Sequence, residues 1–211
     1  MIIRAVGLEH FYGHEHVLRG VDIEIHPGEF VAIVGESGSG KTTLLSILST
    51  LLRPTGGNVT YDGESLEKIK NIDRFRREHI GFVFQFHYLI AYLTLHENIA
   101  LAALKEENSD ILMKRLKIAG FARRYSDEVS GGERQRAAIA RALVNRPSVV
   151  FADEPTGNLD TQNALGVYEL FREFSNEGTA FVVASHDPKI RDFADVIIVM
   201  EDGRVKSISR S

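Results

Sequence analysis

The chain has 211 residues, 44% of them hydrophobic and 26% charged, with a formal net charge of −4; that length suits one α/β core carrying an inserted lobe, and that composition suits a sizeable buried core. The mild acidity, with an isoelectric point near 6.1, gives no electrostatic footprint for nucleic acid. No cysteine is present, which excludes disulfides and thiolate metal sites, and no apolar run approaches the ~18 residues of a membrane span.

The N-terminal Met1-Ile2-Ile3-Arg4-Ala5-Val6-Gly7 lacks the apolar stretch of a secretory leader. Residues 2–8 and 17–25 read as strands, the second because Val21, Ile23 and Ile25 alternate with Asp22 and Glu24. Between them lies Phe11-Tyr12-Gly13. Taken alone, Tyr12 reads as a half-buried edge aromatic; beside a nucleotide site it offers a face on which a base can stack. Pro27-Gly28 then turns the chain into the buried run Phe30-Val31-Ala32-Ile33-Val34.

That run leads into Gly35-Glu36-Ser37-Gly38-Ser39-Gly40-Lys41-Thr42-Thr43, which satisfies G-x-x-x-x-G-K-[ST], and Leu44, Leu45, Ile47, Leu48 and Leu51 leave it at helical spacing. Strand, loop and helix in this order make a phosphate-binding loop. Glycines let consecutive backbone N–H groups turn toward one anion, and the helix start adds its partial positive end. Lys41 reaches the β- and γ-phosphates, and the Thr42 hydroxyl ligates Mg²⁺.

Arg53-Pro54-Thr55-Gly56-Gly57 then breaks the chain, Val59-Thr60-Tyr61-Asp62-Gly63 resembles a short strand and turn, and a charged helical stretch with a solvated face runs to His79. Ile80-Gly81-Phe82-Val83-Phe84-Gln85 is an apolar strand closed by an amide that can touch both Mg²⁺ and an attacking water. From Phe86 to about Gly120 the chain is aromatic-rich and then helical. One apolar pattern holds Leu93, Leu95, Ile99 and Leu101; a second, with Ile111, Leu112, Leu116 and Ile118, starts behind a Ser109-Asp110 cap and ends at Gly120. The cluster Phe84, Phe86, His87, Tyr88, Leu89, Ile90 and Tyr92 is partly core and apolar enough for part of it to form a docking groove.

Ser130-Gly131-Gly132-Glu133-Arg134-Gln135-Arg136 opens a long helix that Pro147 stops. Ser130 and Glu133 form a capping box. That leaves Gly131 and Gly132 unexplained, because glycine costs up to about 1 kcal/mol relative to alanine in a helix interior; two glycines here leave backbone N–H groups uncovered for an external phosphate. Val149-Val150-Phe151-Ala152 is a buried strand that delivers Asp153 and Glu154 to its C-terminal end, the active-site edge of an open α/β sheet. Successive residues point oppositely, so Asp153 can turn toward Mg²⁺ and Glu154 toward the attacking water. Thr156-Gly157-Asn158-Leu159-Asp160 caps a helix over about 162–177, which ends at Gly178. Ala180-Phe181-Val182-Val183-Ala184 is a further buried strand that places His186, within Ser185-His186-Asp187-Pro188, at the same sheet edge. Val196 to Met200, a turn at residues 201–204 and Val205 to Ile208 close the chain as a hairpin.

These segments in this order resemble the nucleotide-binding subunit of an ABC transporter over essentially the whole chain. The aromatic loop is Tyr12, Walker A is residues 35–43, the Q-loop is Gln85, the signature is Ser130 to Gln135, Walker B is Val149 to Glu154, the D-loop is Gly157 to Asp160, and the switch histidine is His186. The resemblance implies an α/β P-loop NTPase fold of the ABC ATPase type. A RecA-like core with an antiparallel β subdomain would comprise residues 1–84 and 131–211, and the helical signature lobe residues 85–130. It also implies ATP and Mg²⁺ as cofactors. Two copies would pair head to tail, so that ATP held by Gly35, Ser37, Gly38, Ser39, Gly40, Lys41, Thr42 and Thr43 of one copy is closed by Ser130, Gly131, Gly132, Glu133 and Asp160 of the other. Thr42, Gln85 and Asp153 would hold the metal, Glu154 would act as general base, His186 would hold the γ-phosphate, and a lone copy would be a poor ATPase.

Residues 84–89 and 153–160 look most like the branch that includes the ATPases of lipoprotein release and macrolide export, which is thought to transmit force across the inner membrane rather than carry substrate through it. The partners implied are a second copy and integral membrane permease subunits, with no nucleic acid and with membrane contact only through the partner, at the cytoplasmic face of the inner membrane. No regulatory C-terminal domain of the importer kind is expected. Within that branch Phe84-Gln85-Phe86-His87 tilts the resemblance toward lipoprotein release. Three alternatives stay open: the ATPase of a macrolide or peptide exporter or another mechanotransmission ABC system, a soluble ABC ATPase of DNA repair or translation, and a regulatory module that holds ATP without hydrolysing it.

Overall fold

The computed structural model describes residues 1–210. In chain order it contains β1 (Ile3–Tyr12), β2 (Glu15–Ile25), β3 (Phe30–Val34), α1 (Lys41–Leu48), β4 (Gly56–Tyr61), β5 (Glu64–Ser65), α2 (Ile72–His79), β6 (Ile80–Phe84), α3 (Leu95–Ala100) and α4 (Glu107–Arg115). It continues with α5 (Gly131–Leu143), β7 (Val149–Asp153), α6 (Thr161–Asn176), β8 (Ala180–Ala184), β9 (Val196–Glu201) and β10 (Arg204–Arg210).

Two sheets form. An antiparallel one has the order β2-β1-β4-β5, and a six-stranded one has the order β10-β9-β3-β8-β7-β6, parallel except for the edge strand β10. The parallel strands β3 and β8 are buried at every position, as expected where both faces of a sheet are covered. Their alternation divides the core. Phe30, Ala32 and Val34 share a core cluster with α3, α4, α5 and α6, while Val31 and Ile33 share one with α1 and the antiparallel sheet. Each fully buried side chain of this size contributes about 1.5–3 kcal/mol. Phe171 of α6 stacks on Phe181 of β8 at 4.7 Å, and Phe30 meets Phe171 edge-on at 6.4 Å, so aromatic packing fixes α6 against the sheet.

Parallel strands end on one edge, and the register aligns Phe84, Asp153 and Ala184 across β6, β7 and β8. Gln85, Glu154 and Ser185 therefore follow side by side. This places residues far apart in the chain at one rim.

Four local expectations differ from the structure. β1 and β2 run to Tyr12 and from Glu15, so Phe11 and Tyr12 end a strand instead of occupying a loop between strands. A register shift between Ala5 and Leu8, with Gly7 at φ 58, breaks the alternation that marks a strand. α4 begins at Glu107, and Ser109 is fully buried inside it rather than capping it. The cause is tertiary: Asn108 Nδ2 donates to Val144 O at 3.0 Å, tying the first turn of α4 to the end of α5. α4 also stops at Arg115, and Gly120 lies in a separate 3₁₀ turn, Ala119–Phe121. Finally, Leu51 lies beyond α1, because Thr50 takes φ 66 and ends the helical path. Arg115 of α4 bonds Glu173 at 2.7 Å and Glu177 at 2.8 Å and lies 3.7 Å over the Phe174 ring of α6.

Candidate nucleotide site

At the end of β3 the loop of residues 35–40 carries the chain into α1, with Gly40 as N-cap in the left-handed region at φ 96. Lys41 is nearly buried, and its ammonium donates to Gly35 O at 2.9 Å and Glu36 O at 2.7 Å, arching back over the loop. An ammonium has three protons, so one N–H stays available above the ring of backbone donors.

Thr42 Oγ1 donates to Asp153 Oδ1 at 3.2 Å. Burial pushes the Asp153 carboxyl upward, Thr42 and Lys41 pull it down, and neighbouring Glu154 raises it again. A half-buried carboxylate in this balance favours a nearby cation. The Thr42 hydroxyl, the Asp153 carboxylate and the Gln85 amide are hard oxygen donors, and few protein ligands of this kind fit magnesium, which keeps waters and phosphate oxygens in its shell.

Glu154 sits at φ 45, an uncommon conformation for a non-glycine residue. Its N–H is fixed by Ala184 O at 2.9 Å. From there its Oε2 lies 2.8 Å from His186 Nδ1 and accepts from His186 N at 3.4 Å and Ser185 Oγ at 3.5 Å. Glu154 is mostly enclosed while the His186 side chain is 73% exposed, so the imidazole edge reaches into the open cleft. Gln85 follows β6, and its carbonyl accepts from Asn158 Nδ2 at 3.3 Å.

The loop, Tyr12, Gln85, Glu154 and His186 line one cleft of about 510 Å³, within the ~300–1,000 Å³ usual for small-molecule sites. Of the loop residues, Ser37, Gly38, Gly40, Lys41, Thr42 and Thr43 face it, while Gly35 and Ser39 line the opposite side of the loop against Met200. Tyr12 is 51% exposed, leaving a ring face open at the cleft mouth. Glu15 and Val17 also line the cleft and were missed by sequence reasoning. The pairing of Tyr12 with Glu15 across the hairpin brings them there, and only the length of β1 could have signalled it.

Ser130, Gly131, Gly132, Glu133 and Asp160 do not line this cleft. They gather at the starts of α5 and α6. The Ser130 hydroxyl accepts from Glu133 N at 3.3 Å, and Glu133 Oε2 accepts from Ser130 N at 2.7 Å, completing the expected capping box. Asp160 Oδ1 accepts from Asn163 N at 3.0 Å and Oδ2 from Asn163 Nδ2 at 2.6 Å, bonds that hold its carboxyl below the usual range. A Cβ on Gly132 would stand 3.0 Å from Asn163 Oδ1, so the two helix starts adjoin.

Between β6 and α3, Phe86, Tyr88 and Tyr92 are 62%, 63% and 80% exposed. Arg141 of α5 holds the segment that carries them, donating to Tyr88 O at 2.6 Å and His87 O at 2.8 Å. No helix among the described residues is long and apolar enough to cross a membrane.

The ABC transporter family model matches residues 18–157. The lipoprotein-releasing system ATP-binding protein LolD of Shewanella oneidensis is 44% identical over 198 residues, covering 89% of this chain and 86% of the relative. LolD of Bacteroides thetaiotaomicron is 41% identical over 216 residues, covering 97% and 99%. Among solved structures, the post-hydrolysis dimer of the ATP-binding cassette MJ0796 bound to ADP and Pi superposes with a TM-score of 0.89 at 33% identity, covering 99% of this chain and 98% of that one. The chain belongs to the ABC transporter family and is one of its ATP-binding, ATP-hydrolysing subunits, of the LolD type.

Proposed function

We propose that this subunit works as a head-to-tail pair and drives permease subunits that release lipoproteins from the inner membrane. One observation carries the pairing. The cleft holds the phosphate loop, Gln85, Glu154 and His186 but none of Ser130, Gly131, Gly132, Glu133 or Asp160. These glycines leave the first N–H groups of α5 uncovered, and a helix start of this kind suits an anion. A second copy facing the cleft brings that surface to the γ-phosphate, and the solved dimer at 33% identity supports the arrangement.

In this reading residues 85–130 are the lobe, and residues 1–84 with 131–211 are the catalytic core. The adenine stacks on Tyr12. The backbone of residues 35–40 and the Lys41 ammonium cradle the phosphates, with Thr43 in the first turn of α1. Thr42, Asp153 and Gln85 would hold Mg²⁺, which would supply positive charge to the phosphate oxygens. Glu154 takes a proton from the water that attacks the γ-phosphorus, while the bond to the ADP oxygen breaks. His186, oriented through Nδ1 by Glu154, turns its other nitrogen to the γ-phosphate. Ser130 and Gly132 of the second copy close the site until hydrolysis removes the γ-phosphate and the pair opens.

The lipoprotein assignment rests on the LolD relatives, and the exposed Phe86, Tyr88 and Tyr92 are the permease contact, so the subunit lies on the cytoplasmic face through its partner. Depleting the chain from its own cells tests this. Lipoproteins retained in the inner-membrane fraction are the expected result; an unchanged distribution, with no permease recovered on a tagged Glu154→Gln chain in ATP, contradicts it.

A further inference from the structure

Tyr168 lies on α6, away from the cleft, and is completely buried, yet its hydroxyl is not spent on helix or sheet. It sits 2.8 Å from Thr156 Oγ1, 3.4 Å from Ser185 Oγ and 3.5 Å from Asp187 Oδ2. Thr156 and Ser185 are buried as well. Ser185 Oγ in turn donates to Glu154 Oε2 at 3.5 Å and accepts from Asp187 N at 3.1 Å. One phenol therefore touches both loops that flank Glu154, the one leaving β7 and the one leaving β8.

The carboxylate end sets the direction of this chain. Ionised Glu154 and Asp187 only accept, so Ser185 donates to Glu154, the single Tyr168 proton is shared between Ser185 Oγ and Asp187 Oδ2, and Tyr168 accepts from Thr156. Burial raises the Tyr168 hydroxyl above its ordinary range, so it stays protonated. The phenol ring is fixed by Phe193, with centroids 5.6 Å apart. Two of the links are long, as hydrogen bonds in an open site commonly are before closure tightens them.

We propose that Tyr168 is a positioning residue for hydrolysis: its hydroxyl ties Thr156 of the loop after β7 to Ser185 of the loop after β8, and so holds Glu154 and His186 in the geometry that activates water. The proposal rests on the reading of Glu154 as general base. It makes the buried inner face of α6 part of the machinery, and it ties the segment leading to Asp160 to the segment carrying His186.

The test uses the full chain at saturating Mg-ATP, with kcat measured separately from ATP affinity. Tyr168→Phe keeps the ring and removes the hydroxyl, and kcat is expected to fall about tenfold with ATP affinity within about twofold of wild type. Thr156→Val is expected to copy this loss, Thr156→Ser to restore kcat, and Tyr168→Phe with Thr156→Val to be no worse than either alone, because both break one chain. A Tyr168→Phe kcat within about twofold of wild type, additive losses, or a Thr156→Ser chain as slow as Thr156→Val overturns the proposal. Glu154→Gln separates the two levels. If it hydrolyses ATP at the wild-type rate, the base assignment falls and this inference with it; if it is inactive while Tyr168→Phe is fully active, this inference alone falls.

Discussion

Gly40→Ala perturbs the phosphate loop at a closely packed point. Gly40 takes φ 96, and a Cβ there would stand 2.8 Å from Leu18 Cδ2, 3.2 Å from Val17 O and 3.4 Å from Met200 Cε. Leu18 is completely buried and has no room to swing aside. The left-handed backbone costs an alanine about 1–2 kcal/mol, and overpacking a closed core adds about 1–3 kcal/mol. The sum is about 2–5 kcal/mol, or a fall in Tm of very roughly 4–20 °C for a chain of this size. Gly38 supplies the comparison, since it sits in the same loop at φ 80 with nothing within 4 Å of its added Cβ. Gly38→Ala should then cost only the backbone portion, about 1–2 kcal/mol. Thermal unfolding of both variants without nucleotide reads the difference. Equal Tm losses would refute the reasoning, because the contacts with Leu18, Val17 and Met200 distinguish Gly40 from Gly38.

Asp153→Asn removes the carboxylate bonded to Thr42; Mg-ATP turnover should fall at least about a hundredfold, and turnover within a few-fold of wild type would contradict the metal assignment. Asp195 is held low chiefly by its bond from Arg172 at 2.6 Å, with Phe30 N assisting. A depressed carboxyl pKa contributes stability that is present above the unfolded value and lost as pH falls through the folded one. Urea unfolding from about pH 6 down to pH 3 should therefore show a shallower acid loss for Asp195→Asn than for wild type; parallel curves would contradict it. Arg141→Met removes both bonds to the His87 and Tyr88 carbonyls, and hydrogen bonds to a charged donor contribute about 1.5–3 kcal/mol each. Recovery of permease on the tagged chain should drop while ATP binding persists, and loss of both together would contradict a local role.

The phosphate loop was legible because its motif, its buried strand and its helix are contiguous in the chain. The same holds for the capping box of Ser130 and Glu133, and for Asp153 and Glu154 at the end of an apolar strand, where period and end position suffice. The length of β1 was hidden by the bulge at Gly7, which resets the alternation that pattern reading depends on. The start of α4 was hidden because Ser109 resembles a cap until Asn108 is seen to bond Val144. Tyr168 carries no motif in the sequence and lies in the structure on the buried inner face of α6. Its hydroxyl gains meaning only when β7 and β8 deliver Thr156 and Ser185 to it.

The central claim is that this chain holds half of each ATP site and a second copy supplies the rest. Light scattering of the Glu154→Gln chain, with its hydrolysis blocked, measures this directly. In saturating Mg-ATP the mass should rise from 23.5 kDa to twice that and return to one copy when ADP replaces ATP. A chain that binds ATP and stays at one copy would contradict the claim.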